Sequence, residues 1–449
     1  MNLYFKIFIF HLILNYSFQI QLKVSIKKYD KKTKNINFPK IRNLFQESTP
    51  KLNELELLTM PICLGTSRLC YDFVIDTSSF LFWIDEKYYS PSNSTAFILG
   101  EKNIKFNYFS SSINGLISKD LISFKDNPEI QFFFPIIIAK TENITNEIFG
   151  ILGLSKDIDY NFLQSYENTN KYMLNKEFFY KTIIKYTLIE ELFYQKIINQ
   201  KIFEYKPINS EKGILYFGET EYNLNKYKKC SRTNSTKKYT GLDLYFFKYL
   251  WSCQLFDFTN EKNISIFGLL NMTMLDFNIQ VTFDSAANVL LVSNEIYHYL
   301  IKDYIEKSNN KCIQYKDTDL FHCIKNFDIK SLPKYYIKLE NFKITIYPED
   351  IFLLINSDEE FDSYLFRIVP NHEGISWIIG NIVLKKYQIA YNYEDKSVYF
   401  FDENLSFSIL SKFIFVIYLF TFFTFIFYIS FKKKIETKKQ IYSQEMTLL

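Results

Sequence analysis

Asp76 and Asp284 stand in two near-copies of one local pattern. Phe73 to Trp83 reads FVIDTSSFLFW, and Val281 to Leu291 reads VTFDSAANVLL. In each, apolar residues lead into an aspartate, followed by a hydroxyl residue, two small residues and an apolar run. Taken singly, an Asp-Thr-Ser or Asp-Ser-Ala triplet is more often a turn than a reactive site. Its duplication reverses that reading, because carboxyl groups work in pairs. Two carboxyls that share a site at about 3 Å cannot both ionise, so one titrates low, the other high, and the pair holds one proton. The ionised member can then take a proton from water while the protonated one donates to an oxygen that is gaining charge. The two apparent pKa values belong to the pair and not to either aspartate.

Such a pair must be brought together from positions far apart in the chain. Each copy is followed by two apolar residues and a glycine: Ile151-Leu152-Gly153 downstream of Asp76, and Ile378-Ile379-Gly380 downstream of Asp284. The repeat predicts two similar halves with a boundary near residues 222 to 240. From Leu55 onward, short β-branched and aromatic runs are broken by Asn, Asp, Ser and Gly, the pattern of an antiparallel β-rich protein. Phe178 to Ile198 has apolar residues at three- and four-residue spacing and predicts a helix.

A chain of 449 residues, 48% hydrophobic, is long enough for two packed domains and too apolar to be disordered. With a net charge of only +4 and no clustered basic face, nucleic acid is excluded as a partner. The abundance of Phe and Tyr is read as filling core and strand positions and not as an aromatic binding surface. His11, His298, His322 and His372 are scattered with no metal-ligand spacing, so no metal is expected. There is no G-x-S-x-G elbow, no Gly-rich phosphate loop and no papain-like cysteine context. No cofactor is implied.

Residues 1–18 have the lysine-then-apolar pattern of a signal peptide. Phe413 to Phe431 carries no charge and predicts a transmembrane helix over 411–431, with the Lys-rich 432–449 as a cytosolic tail. The expectation is a single-pass type I membrane protein of the secretory pathway, in a vesicle or lysosome-like compartment or at the cell surface. Six cysteines fit that oxidising setting as disulfides, and proximity pairs Cys63 with Cys70, Cys230 with Cys253, and Cys312 with Cys323. Sequons at Asn93, Asn143, Asn234, Asn263, Asn271 and Asn404 agree with a glycoprotein. Residues 19–50, with Lys23, Lys27, Lys28, Lys31, Lys32, Lys34, Lys40 and Arg42, read as a polar segment without sustained periodicity, either a propeptide or a solvated tail. The two lobes are expected at 51–225 and 226–405.

In family order, several segments resemble the pepsin-like aspartic proteases. VIDTSSFLFW is similar to the first active-site loop, with Trp83 seven residues after Asp76. YSPSNSTAF (Tyr89 to Phe97) is similar to the Y-x-P-S-x-S-S-T-F segment, and FNYFSSSINGLISKDLISF (Phe106 to Phe124) to the flap hairpin. GILYFGE, VTFDSAANVLLVSNEIYHYL and WIIGNIVLKKYQIAYNYEDKSVYFF match later segments. The resemblance covers nearly all of the chain between signal and anchor. It implies a mainly β, bilobal fold of two related domains with the active-site cleft between them. It also implies Asp76 and Asp284 as the catalytic pair acting on peptide or protein substrates, in a monomer. Thr77 and Ser285 would cross-link the bases of the two loops, Ser79 would bond the Asp76 carboxyl, and Tyr108 and Trp83 would form flap and wall.

The chain departs from the family where it has Ser78 and Ala286 in place of the glycine two residues after each aspartate. Glycine there lets the backbone N–H approach the carboxyl, so a Cβ on each side is expected to widen the pair. Ala287 replaces a hydroxyl that would bond Asp284, an exchange that raises the pKa of the pair. Phe109 and Ser111 stand where flap glycines are usual and stiffen its opening. The expected function is aspartic endopeptidase activity at acidic pH. The alternative is a catalytically inactive membrane glycoprotein of the same fold that binds peptides or serves as a surface protein.

Overall fold

In the computed structural model, the described residues are 20–28, 56–79, 81–100, 103–108, 111–141, 149–155, 187–230, 250–272, 279–306, 311–314, 321–324, 329–358, 361–371, 376–402, 421, 423–425 and 427–428. The fold is mainly β and bilobal, and the duplicated pattern reappears as duplicated topology. In the first half, the strand Leu69–Asp76 runs parallel to Gly150–Gly153, with Asp76 opposite Gly153. That short strand pairs antiparallel with Phe82–Asp85, which in turn runs parallel to Asn127–Thr141. In the second half, Gln280–Asp284 runs parallel to Trp377–Gly380, with Asp284 opposite Gly380. Trp377–Gly380 pairs antiparallel with Leu290–Val292, itself parallel to Ile368–Pro370.

Both aspartates therefore end a strand whose preceding residues are sealed in the core. Phe73, Val74 and Ile75 are buried, as are Val281, Thr282 and Phe283. Near-continuous apolar runs suit strands covered on both faces, so each carboxyl emerges where the buried strand stops. Gly380 has a steric cause: a Cβ there would lie 2.4 Å from the carbonyl oxygens of both Ala287 and Val289. Any side chain would push the second aspartate loop away from its partner strand.

The two halves are joined by sheet and by aromatic packing. Ile202–Pro207 pairs with Lys212–Phe217 on one side and Ile389–Asn392 on the other. Phe203 stacks on Tyr391 with ring centroids 4.6 Å apart, and Trp251 meets Tyr391 edge-on. The Trp251 indole N–H donates to the carbonyl of Leu154 at 2.8 Å, and the Tyr393 hydroxyl donates to the same carbonyl at 3.0 Å. Second-half side chains thus clamp the segment that follows Gly153.

Two findings differ from the sequence-based expectations, and others fall outside the described residues. Ile20–Lys28, expected within a polar segment ahead of the first lobe, is a strand between Lys212–Phe217 and Glu56–Leu64. Leu22 and Val24 are buried while Gln21 and Lys23 are exposed, an apolar-polar alternation that the flanking lysines obscure. The helix expected at 178–198 is described only as Leu188–Tyr194, because 156–186 lie outside the described residues. Thr187 opens it with a capping box to Glu190, and Lys196, at φ 59, turns the chain out of the helix before Ile198. The signal segment 1–18 and tail 432–449 lie outside the described residues, as does 411–431 except 421, 423–425, 427 and 428, which are helical and exposed. Among the described residues no helix is long and apolar enough to cross a membrane.

The structure bonds Cys63 to Cys70, Cys230 to Cys253 and Cys312 to Cys323. Cys63 and Cys70 face each other across one antiparallel pair of strands, and Cys312 and Cys323 across another. Both halves belong to one compact unit formed by the described residues up to Tyr222 and from Lys228 to Phe400. A smaller unit holds Asn223–Tyr227 and the described residues from Phe401 onward. Within it the rings of Tyr227 and Phe401 meet edge-to-face at 5.4 Å.

Removing the N-terminal strand should be costly. A chain beginning at residue 45 loses the burial of Leu22 and Val24, worth roughly 3–5 kcal/mol together, besides two ladders of backbone hydrogen bonds. Thermal unfolding of that chain, compared with one beginning at residue 19, is expected to show a drop in Tm of several degrees or loss of soluble protein. Equal midpoints would show the strand to be dispensable.

Candidate active site

The two aspartate loops are locked together at their bases by four hydrogen bonds. The N–H of Thr77 donates to Ser285 Oγ at 3.0 Å, and the N–H of Ser285 donates to Thr77 Oγ1 at 3.0 Å. Each hydroxyl in turn donates across the interface, Thr77 to the carbonyl of Phe283 at 2.8 Å and Ser285 to the carbonyl of Ile75 at 2.7 Å. Thr77 and Ser285 are both buried, so every one of these groups would be left unpaired if a partner were lost. Thr77→Val keeps the shape but removes the donor to Phe283 and the acceptor for Ser285. It is expected to cost about 2–3 kcal/mol in a denaturant titration. An unchanged midpoint would contradict the assigned role of this lock.

Above the lock, each carboxyl is held by the backbone of its own loop. Oδ1 of Asp76 accepts from the N–H of Ser78 at 2.8 Å and of Ser79 at 3.1 Å. Oδ1 of Asp284 accepts from the N–H of Ala286 at 2.9 Å and of Ala287 at 3.1 Å. The two halves therefore cradle their carboxyls alike. Neither Ser78 nor Ala286 is among the described residues with positive φ, so the loops need no glycine conformation. The close N–H approach to each carboxyl is kept with a Cβ present at both positions.

Ser79 bonds Asp76 as expected, but through its backbone, and the hydroxyl on that carboxyl comes from Ser78. The hydroxyl of Ser79 accepts from the N–H of Leu81 at 3.2 Å, and Ser79 reaches Asp76 through its backbone. The hydroxyl that donates to Asp76 Oδ1, at 2.6 Å, belongs to Ser78. Sequence reasoning treated Ser78 only as a missing glycine. Its signal was present in the residue type, since a hydroxyl two residues after an aspartate can reach back to that carboxylate.

The electrostatics link the two carboxyls. Burial first, and then the charge of Asp76, push Asp284 up to about 7, against the N–H groups of Ala286 and Ala287 and the Ser78 hydroxyl, which pull it down. The rise expected from losing a hydroxyl at Ala287 thus has another main cause, and Ala287 contributes a stabilising backbone bond. Asp76 is 1% exposed and Asp284 is partly exposed. Two carboxyls so coupled hold one proton between them across the range where one is ionised and the other is not.

The remaining expected residues surround this pair unevenly. Trp83 is fully buried in Phe82–Asp85, and its indole N–H has no partner among the described residues. Tyr108 ends the strand Asn103–Tyr108, opposite Ser111 of Ser111–Phe124, and its side chain lies outside the described residues. The two strands expected to form the flap are therefore paired in their backbones, and 109–110 lie outside the described residues. Asn288, four residues beyond Asp284, has both amide atoms buried without a partner among the described residues, a feature the sequence reading did not single out. Among the described residues no cluster of His, Cys, Asp and Glu could hold a metal ion.

Two topologically equivalent halves each deliver one aspartate to a pair of loops locked by hydroxyls, the arrangement of a two-lobed fold with its aspartates brought together from both lobes. A family model described as eukaryotic aspartyl protease matches residues 59–402, and the chain belongs to that family. No curated protein matches it.

Proposed function

We propose that this chain is an aspartic endopeptidase that hydrolyses peptide bonds by activating water between Asp76 and Asp284 at acidic pH. The observation that carries the reading is the reciprocal lock of Thr77 and Ser285, which holds the two carboxyl loops together through bonds of 2.7 to 3.0 Å. Precise placement is what two-carboxyl chemistry needs, since the base and the acid must reach one water and one carbonyl at once.

In the proposed reaction the ionised carboxylate takes a proton from water as the water oxygen bonds to the peptide carbonyl carbon. The protonated carboxyl donates to the carbonyl oxygen, giving a neutral tetrahedral diol. The C–N bond then breaks as the nitrogen receives the proton taken from water, and the diol returns the other proton to the second carboxyl. Acid and amine leave, and the pair again holds one proton. Residues 411–431 would anchor the protein in a membrane of the secretory pathway, with the cleft on the side away from the cytosol.

The test is peptide cleavage by the full-length chain from about pH 3 to 7, with Asp76→Asn as control. Cleavage that the substitution removes supports the reading. Cleavage shared equally by both proteins, or peptide binding with no cleavage at any pH, would replace it with the inactive, peptide-binding alternative.

A further inference from the structure

One hydroxyl breaks the symmetry of the two aspartate loops. At the first, Ser78 contributes both its N–H and its side chain to Asp76 Oδ1, at 2.8 and 2.6 Å. At the second, the corresponding Ala286 has only an N–H to give, at 2.9 Å. The Ser78 side chain is therefore turned toward Asp76. Its backbone is unstrained, and the side chain of a half-buried residue is thereby aimed at the pair and not at solvent.

We propose that Ser78 is a positioning residue of the pair, whose hydroxyl binds Asp76 and sets it as the ionised, water-activating member. A carboxylate oxygen is an acceptor only, so the oxygen that gathers the Ser78 N–H, the Ser78 hydroxyl and the Ser79 N–H is the one that best carries the negative charge. Asp284, with two backbone donors on Oδ1 and no hydroxyl of its own loop, is left to hold the proton. The hydroxyl thereby does what a bond to the charged form does in general, favouring the singly ionised pair over the doubly protonated one. The inference rests on the proposed endopeptidase reading for its catalytic part, while the bond from the hydroxyl to the Asp76 carboxyl stands without it.

The test uses the full-length chain and the variants Ser78→Gly, Ser78→Ala and Ser78→Thr, with two readouts. In the pH profile of kcat/KM, Gly and Ala are expected to move the acidic limb up by about one pH unit, a tenfold change in proton affinity, while Thr, which keeps a hydroxyl, stays near the original limb. The second readout, carboxyl titration followed by NMR of aspartate-labelled protein, needs no activity and is expected to show the same shift. Should the parent chain cleave nothing, the endopeptidase reading fails and the NMR shift alone decides the role of Ser78. An acidic limb and a titration unchanged in Ser78→Ala, whatever its effect on rate, would overturn the proposal. Ser78→Ala keeps the Cβ, so it carries the test if the glycine variant does not fold.

Discussion

The folded state is expected to gain stability as the pH falls from about 7.5 toward about 4, and Asp284→Asn is expected to remove most of that gain. Burial and the charge of Asp76 push Asp284 up to about 7, whereas an unfolded aspartate titrates near about 3.9. The folded chain therefore holds this proton more tightly than the unfolded one. Its contribution to stability is fully present below the unfolded value and is lost as the pH rises through about 7. Three pH units at about 1.4 kcal/mol each put the largest difference near 4 kcal/mol. Asparagine is close to the shape of the protonated acid and cannot ionise. At pH 7.5 Asp284→Asn should unfold at a higher temperature than the parent chain, and near pH 4 the two should converge. Asp350 is also raised by burial, offset by Lys386, but it is common to both proteins and cancels in the comparison. Parallel curves across the range would show that Asp284 is not the proton-holding group described here.

The larger effect is on turnover. Asp76→Asn and Asp284→Asn are each expected to lower kcat by about 10²- to 10⁴-fold, the range of a lost general acid or base. The double variant should be little worse than either. In the proposed reaction the two carboxyls act on one water and one carbonyl as a unit, so removing the second partner of a broken pair costs almost nothing more. Losses that multiply in the double variant would mean that the two groups work independently. The loops should survive each change, because Thr77 and Ser285 hold the lock through hydroxyl and backbone groups that the substitutions do not touch. A circular dichroism spectrum matching the parent's separates lost chemistry from lost fold.

Much of this arrangement is legible in the sequence because it is written twice. The paired patterns around Asp76 and Asp284, and the glycines at 153 and 380, each become a parallel pairing of aspartate against glycine. What escaped notice did so for local physical reasons. In Ile20–Lys28 the apolar alternation of Ile20, Leu22, Val24 and Ile26 is short and set among lysines, so charge masked a strand that only its two neighbours make visible. The helix expected to continue to Ile198 stops at Tyr194, since Lys196 adopts a left-handed turn that apolar spacing does not report. At the site itself, residue type was read as absence. Ser78 and Ala286 were seen as lost glycines, while the backbone at both positions proved compatible with a side chain and one of them supplied a hydroxyl to the pair.

The central claim is that Asp76 and Asp284 share one proton and use it to hydrolyse peptides, and the pH profile of kcat/KM for the full-length chain tests it most directly. A bell is expected, with its alkaline limb near about 7 where Asp284 loses its proton, and no residual bell in Asp76→Asn or Asp284→Asn. Peptide cleavage that stays level through pH 8, or a bell that survives either substitution, would contradict the account.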